Sequence, residues 1–294
     1  MKVLVYGSLN IDMVFAVDHI VLPGETISSA SFARNAGGKG ANQAAAMAKA
    51  GLNVFMAGKI GRDGEFLLQH LHSYGVDTHK VSVYGGSTGN ALIQVDKNGQ
   101  NSIVLYAGGN GEIRPHEIET AVASFNSGDI IVMQNEISRA KDIIIAAKKR
   151  GMKIYLNPSP YNEKIDGLPL ELVDCFFVNE LEGASLAAMP KNYPFTEILD
   201  GLTLRFPNAE IILTAGKNGA YYGFGGMREY AAIVDAPVVD TTGAGDTFTG
   251  YFIAARAKGF DIRNALKTAS KAASITVSRK GAMDSVPFAK EVFS

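Results

Sequence analysis

Val238-Val239-Asp240-Thr241-Thr242-Gly243-Ala244-Gly245-Asp246-Thr247-Phe248-Thr249-Gly250 is the stretch on which the rest of the chain is organised. An apolar, β-like run comes before the glycines and a small-residue helical run after them. The expectation is a strand end, a sharp turn and a helix start. Glycine lets the backbone turn and lets a bulky anion approach it closely. The free N–H groups of the helix's first turn, with the helix dipole behind them, attract that anion. An aspartate here opposes phosphate if binding is the only task. It makes sense if Asp246 removes a proton from an attacking hydroxyl while the neighbouring N–H groups hold the transferring phosphate. An aspartate acting only as an N-cap is the plainer alternative.

Outward from this stretch, strands and helices alternate. Residues 3–6, 54–57, 130–133, 153–156, 175–178 and 211–214 read as buried strands. Residues 41–50, 65–74, 115–124, 139–150, 180–188, 246–258 and 262–278 read as helices. Residues 220–222 and 227–231 form a glycine-punctuated pair. The pattern predicts an α/β fold, three-layered, with a mainly parallel central sheet and ligands at the C-terminal strand edges. Two patches depart from it, at about 12–34 and 88–107. They alternate as antiparallel ribbons do, the second around Asn98-Gly99, and are too small to be a domain. They are expected to form a lid inserted in a single domain covering residues 1–294.

The chain has 294 residues, 47% hydrophobic and 19% charged, with a formal net charge of −1. That composition excludes a disordered chain, and without a lysine/arginine block it argues against nucleic acid or an anionic membrane as partner. Only Lys2 precedes the first apolar strand, and no apolar run is long enough to span a bilayer. A cytoplasmic location is therefore expected. Cys175, the one cysteine, lies beside Phe176 and Phe177 and reads as a buried structural thiol. The five histidines show no metal spacing and read as solvated or structural.

Several strand ends carry further chemistry. In Gly7-Ser8-Leu9-Asn10-Ile11-Asp12, Asn10 and Asp12 are two apart in an extended segment and share a face. An amide and a carboxylate suit a vicinal diol, though both types also favour turns. Ala36-Gly37-Gly38-Lys39-Gly40-Ala41-Asn42-Gln43 lacks the ending of a Walker A loop. Its glycines admit a ligand to the backbone, and Lys39 and Asn42 could bind hydroxyls. Glu136 ends an apolar strand. Asn179 and Glu182 open a helix, where acids either organise Mg²⁺ or simply stabilise the first turn. Thr214 and Gly216 end a strand at a plausible nucleotide edge.

Taken together, these motifs resemble the PfkB family of carbohydrate kinases, and within it the ribokinases, over nearly the whole chain. The resemblance implies a ribokinase-like fold whose small antiparallel β-lid also pairs subunits, hence a homodimer. It implies transfer of the γ-phosphate of ATP to the 5-hydroxyl of D-ribose, with Mg²⁺ and K⁺. By the same resemblance Asp246 is the base and Gly243, Ala244 and Gly245 the anion hole. Asn10, Asp12, Gly38, Lys39, Asn42 and Glu136 become sugar ligands, with Ala91, Ile93 and Leu105 as an apolar wall. Asn179, Thr214 and Gly216 line the nucleotide side, and Glu182 is linked to Mg²⁺. Asp240, Thr242, Thr276, Arg279, Gly281 and Ser285 match a monovalent-cation site, several of them through backbone carbonyls. Another sugar such as fructose or deoxyribose, a nucleoside, and a non-catalytic sugar-binding protein remain alternatives. A dinucleotide-dependent oxidoreductase is discarded, because no Gly-x-Gly-x-x-Gly follows the first strand.

Overall fold

Strands that are apolar on both faces can only be stable between two layers. Val3–Tyr6 (β1) is such a strand, buried at every residue. In the computed structural model, which describes residues 1–293, it lies inside a nine-stranded sheet. Parallel to it run Val54–Gly61 (β4), Ile130–Gln134 (β8), Lys153–Asn157 (β9), Cys175–Asn179 (β10) and Glu210–Thr214 (β11). Asp77–Tyr84 (β5) closes one edge in parallel. Ala220–Phe224 (β12) and Met227–Ala231 (β13) add an antiparallel pair at the other. The resulting order is β13-β12-β11-β10-β9-β8-β1-β4-β5.

Alternate residues of each strand feed two separate cores. Val3 and Val5 pack with the helices Lys39–Lys49 (α1), Glu65–Ser73 (α2), Ala244–Ala257 (α7) and Ile262–Val277 (α8). Leu4 and Tyr6 pack with Pro115–Val122 (α3), Ala140–Lys149 (α4), Glu180–Leu186 (α5) and Phe195–Arg205 (α6). Two helix layers around one sheet give the expected three-layer α/β architecture. A short helix, Ala289–Val292 (α9), ends the described chain. Cys175 is fully buried, with its thiol pKa pushed up by that burial. No helix among the described residues is long and apolar enough to cross a membrane.

A second, four-stranded sheet stands on the C-terminal edge of the first. Asn10–Ala16 (β2) pairs antiparallel with Ser31–Gly37 (β3), and Gly89–Val95 (β6) with Asn101–Tyr106 (β7). The two pairs join through β2 and β6, which run parallel. The register sets Asp12 opposite Ala91, and Ala91 opposite Leu105. It likewise sets Val14 opposite Ile93. Directly opposed residues share a face, so Ala91, Ile93 and Leu105 lie on the Asp12 side.

One expectation fails. The run at Val238-Val239 is no strand, and these residues are 70% and 61% exposed. Its backbone has no sheet neighbour. The N–H groups of Val239 and Asp240 bond instead to the carbonyl of Val277 at the end of α8. β5 and α6 are elements that the sequence pattern did not single out.

Helices α1 and α7 cross very closely. A Cβ added at Gly250 would lie 2.6 Å from the Ala46 Cβ and 2.9 Å from the Met47 nitrogen.

Candidate active site

Parallel strands end on one edge, so the polar residues after β1, β8, β9, β10 and β11 are gathered along it. The N-termini of α1 and α7 arrive at the same edge. Gly243, with φ 76°, makes the turn into α7 in a conformation that favours glycine. The first bond to the Gly243 carbonyl comes from Thr247. First-turn N–H groups have no intrahelical acceptor, which leaves those of Gly245 and Asp246 for a ligand. Nothing crowds Gly245. Of the three residues expected to form an anion hole, Gly245 has its N–H open, whereas that of Ala244 bonds the Thr241 carbonyl at 3.3 Å.

Asp246 reaches from that turn to α1. Its Oδ2 accepts from Asn42 Nδ2 at 3.0 Å and its Oδ1 from Gln43 Nε2 at 2.9 Å. Gln43 is held in turn by Gln134, whose Nε2 donates to Gln43 Oε1 at 2.6 Å, and by Asn157. Burial pushes the Asp246 pKa up to about 6, against the opposing charge of Lys39 and the two amide donors. A carboxylate of that pKa is ionised at neutral pH yet basic enough to take a proton. Two buried acceptors lack partners in this network, Asn42 Oδ1 and Gln134 Oε1.

Lys39, at the start of α1, pairs with Glu136 beyond β8: Nζ lies 3.0 Å from Oε1. Glu136 Oε2 also accepts from the Ser8 hydroxyl and the Lys39 N–H. Burial would lower the Lys39 pKa, but Glu136 and Asp246 more than reverse this and raise it. Asp12 shares the cluster. Burial, then the charge of Glu136, push its pKa up to about 7, with Lys39 opposing. Glycine at 37 leaves room for this carboxylate, because a Cβ there would overlap the Asp12 side chain as it is placed. Asn10 is buried and its Oδ1 accepts from Asn110 at 2.8 Å. Asn10, Asp12, Lys39, Asn42 and Glu136 therefore do converge on one wall. Gly38 stands at the entry to α1, where a Cβ would strike the Ser8 carbonyl at 2.7 Å.

The opposite wall encloses a cavity of about 380 Å³. Thr214 and Gly216 line it, as expected, with Ile233, Val238, Phe248 and Val277 supplying apolar surface. Ala244 and Gly245 border it, so it opens onto the anion hole. Asn179 neighbours Thr214 across the sheet. Its side chain closes a capping box with Glu182: Oδ1 accepts from the Glu182 N–H at 2.8 Å, and Glu182 Oε2 accepts from the Asn179 N–H at 3.0 Å. Of the two roles offered by the sequence, the helix-stabilising one is visible in these bonds.

No group of three or more His, Cys, Asp or Glu among the described residues is arranged to hold a metal ion. A divalent ion at this edge fits best as one carried by phosphates, which is how Mg²⁺ commonly binds. Asp240 clamps two loops. Its Oδ1 accepts from the Thr242 N–H at 2.9 Å and hydroxyl at 2.7 Å, and its Oδ2 from the Gly281 N–H at 3.0 Å. Burial works against its charge, but these donors outweigh it and hold the pKa below the usual carboxylate range. Arg279 turns away to Glu291, the Thr276 hydroxyl bonds Thr247, and Ser285 bonds Ala282.

Ser8, Gln43, Asn110, Gln134 and Asn157 support the site without having been singled out as site residues. Each partner lies far away in sequence, so spacing carries no signal of the contact.

A family model described as pfkB family carbohydrate kinase matches residues 1–289. The ribokinase of Bacillus subtilis strain 168 is 36% identical over 299 residues, covering 99% of this chain and 98% of its own. Two solved structures superpose closely. The ribokinase of Cryptococcus neoformans var. grubii serotype A, in complex with ADP, gives a TM-score of 0.87 at 36% identity, covering 99% of this chain and 98% of its own. The Arabidopsis thaliana ribokinase complexed with ribose and ATP gives 0.85 at 31%, covering 99% and 97%.

Proposed function

This chain belongs to the pfkB family of carbohydrate kinases, and within that family we propose that it is a ribokinase, transferring the γ-phosphate of ATP to the 5-hydroxyl of D-ribose. The observation that carries the reading is the position of Asp246. It sits in the first turn of α7, beside open N–H groups, and is anchored to the polar wall by Asn42 and Gln43. The ribokinases compared above support ribose as the acceptor.

In this mechanism Asp12, Lys39, Glu136 and Asn10 bind the sugar hydroxyls. Ala91, Ile93 and Leu105 face its apolar side. Asp246 Oδ2 or Oδ1 receives the proton of the attacking hydroxyl. The open N–H groups of Gly245 and Asp246 take up the charge of the transferring phosphoryl group, where fixed dipoles cost no reorganisation. The cavity beside Thr214 and Phe248 accepts the base of the nucleotide. Mg²⁺ bound with the nucleotide would supply charge neutralisation at its phosphates, and Glu182 would help to hold it through water. K⁺ would be held between the loops that Asp240 clamps, by backbone carbonyls drawn from Thr242, Thr276, Arg279, Gly281 and Ser285. It would hold the anion hole in its working shape.

Exposed apolar side chains on the lid, among them Phe32, Leu92, Ile103, Val104 and Tyr106, support a homodimer paired through this sheet. We place the protein in the cytoplasm. ADP release measured across ribose, deoxyribose, fructose and a nucleoside tests the acceptor. Preference for ribose supports the reading, and preference for another acceptor replaces it. Loss of activity when K⁺ is exchanged for a large organic cation tests the cage, and an active monomer by light scattering would reject the dimer.

A further inference from the structure

Asn110 lies in the 3-10 turn Gly108–Gly111 that follows the lid strand β7, and it is 2% exposed. Its amide is read twice by one residue. Oδ1 accepts from the Leu9 N–H at 3.1 Å, and Nδ2 donates to the Leu9 carbonyl at 3.3 Å. A backbone N–H only donates and a carbonyl only accepts, so this amide has a single orientation. The same Nδ2 lies 2.8 Å from the side chain of Asn10. The Asn10 atom facing it must therefore be the acceptor Oδ1.

The Asn10 amide is thereby fixed as well. No protein acceptor among the described residues takes its Nδ2 protons, and Nδ2 is not among the sealed, partnerless atoms, so it opens toward the cleft. Asn10 and Asp12 are two apart on one strand and project to the same face. An ionised Asp12 can only accept. We propose that Asn110 is a positioning residue for sugar recognition. It locks Asn10 as a donor, so that the hydroxyl giving its proton to Asp12 receives its second hydrogen bond from Asn10. The inference rests on the proposed binding of a sugar at Asn10 and Asp12, and not on which sugar is bound.

Two further contacts hold the arrangement. The Asn110 carbonyl accepts from the Ser138 N–H at 2.8 Å, tying it to the segment after Glu136. Glycine at 89 leaves room for this bond, because a Cβ there would press on Asn110 Nδ2 and Asn10 Oδ1, the ends of the two side chains. The roots of β2 and β6 and the exit of β7 thus meet at one amide.

The test is Asn110→Asp, which keeps shape and reverses polarity. A carboxylate oxygen in place of Nδ2 repels Asn10 Oδ1 and turns that amide over, presenting an acceptor where a donor is needed. Measured on the pentose the wild type phosphorylates fastest, its KM should rise on the order of tenfold to a hundredfold, with KM for ATP unchanged. Monodeoxy analogues then identify the hydroxyl. The penalty should largely disappear for the analogue lacking the hydroxyl that Asn10 reads, and persist for the others. Gly89→Ala, which pushes the same bond apart without adding charge, should reproduce the sugar-selective rise if Asn110→Asp does not fold. A penalty equal across all analogues, equal rises in both Michaelis constants, or a Gly89→Ala protein with wild-type sugar KM would each overturn the proposal.

Discussion

On the wall built by α1, β1 and β8, polar side chains are tied to one another: Asp246 to Asn42 and Gln43, Glu136 to Lys39 and Ser8, Asn10 to Asn110. Across the cleft the cavity beside Thr214 is lined largely by small and apolar residues and by backbone. The first wall is a set of oriented donors and acceptors, arranged before any ligand arrives. The second is a shape. A polyhydroxyl molecule is distinguished by where its hydroxyls point, and only fixed polar groups can read that. A flat heterocycle and a phosphate chain are served by volume and by N–H groups that any residue supplies. Substitutions on the two walls should therefore fail in different ways.

The largest effect is expected where the walls meet. Asp246→Asn should lower kcat by about 10² to 10⁴, the range for losing a positioned base, and leave both Michaelis constants nearly intact. In the wild type, kcat/KM should fall as pH drops through about 6, the raised pKa of Asp246 in the free protein, because the protonated carboxyl cannot accept. A well-folded Asp246→Asn protein that retains turnover removes the base from the mechanism.

Next in size is the contrast itself. Asp12→Ala should raise KM for the sugar by roughly tenfold to a hundredfold, as expected for losing a hydrogen bond to a charged group, and barely change that for ATP. Ala273→Leu, which fills part of the cavity, should do the opposite and raise KM for ATP by roughly tenfold. If either variant moves both constants together, the walls are not independent.

The smallest effect is on stability. Asp246 and Asp12 have folded-state pKa values raised to about 6 and about 7. A raised pKa means that the folded state holds the proton more tightly than the unfolded chain. The stability this contributes is fully present below about pH 4, the unfolded value, and is lost as pH rises through the folded pKa. At pH 8 the charged Asp246 is thus a burden on the fold. Asp246→Asn should raise Tm there, by about 2–4 °C for each kcal/mol relieved, and by less at pH 4. Scanning calorimetry at the two pH values decides it. A lower Tm at pH 8 would mean that the carboxylate holds α1 to α7 more strongly than burial opposes it.

The same contrast governs how much could be read from the sequence. Buried strands such as β1 announce themselves by unbroken apolar runs, and α1 by its alanines after Gly38. Asp246, Lys39 and Asp12 stand out because their chemistry conflicts with a merely structural role. Asn110 and Asn157 do not, being amides whose partners, Asn10 and Gln43, are found only in three dimensions. β5 was missed because Asp77-Thr78-His79-Lys80 makes its first half polar, as an edge strand permits. Val238 and Val239 misled for the converse reason. Apolar residues read as strand, but here they flank a cleft, and their backbone bonds end on a helix. The cavity wall, made of backbone and small residues, offered little more than Thr214 and Gly216.

The missing side chain at Gly250 has a consequence for how this protein can change over time. Residues 246 and 250 are one turn apart on α7, and residues 42 and 46 one turn apart on α1, about 6 Å along each axis. The spacing set where Gly250 meets Ala46 is transmitted to the bond between Asp246 and Asn42. A methyl group at 250 would act as a shim between two plates, opening a gap one turn away where proton transfer tolerates very little misalignment. Drift in this part of the core is therefore screened by turnover as well as by stability, and a position with no chemistry of its own sets the mechanical tolerance of the reaction.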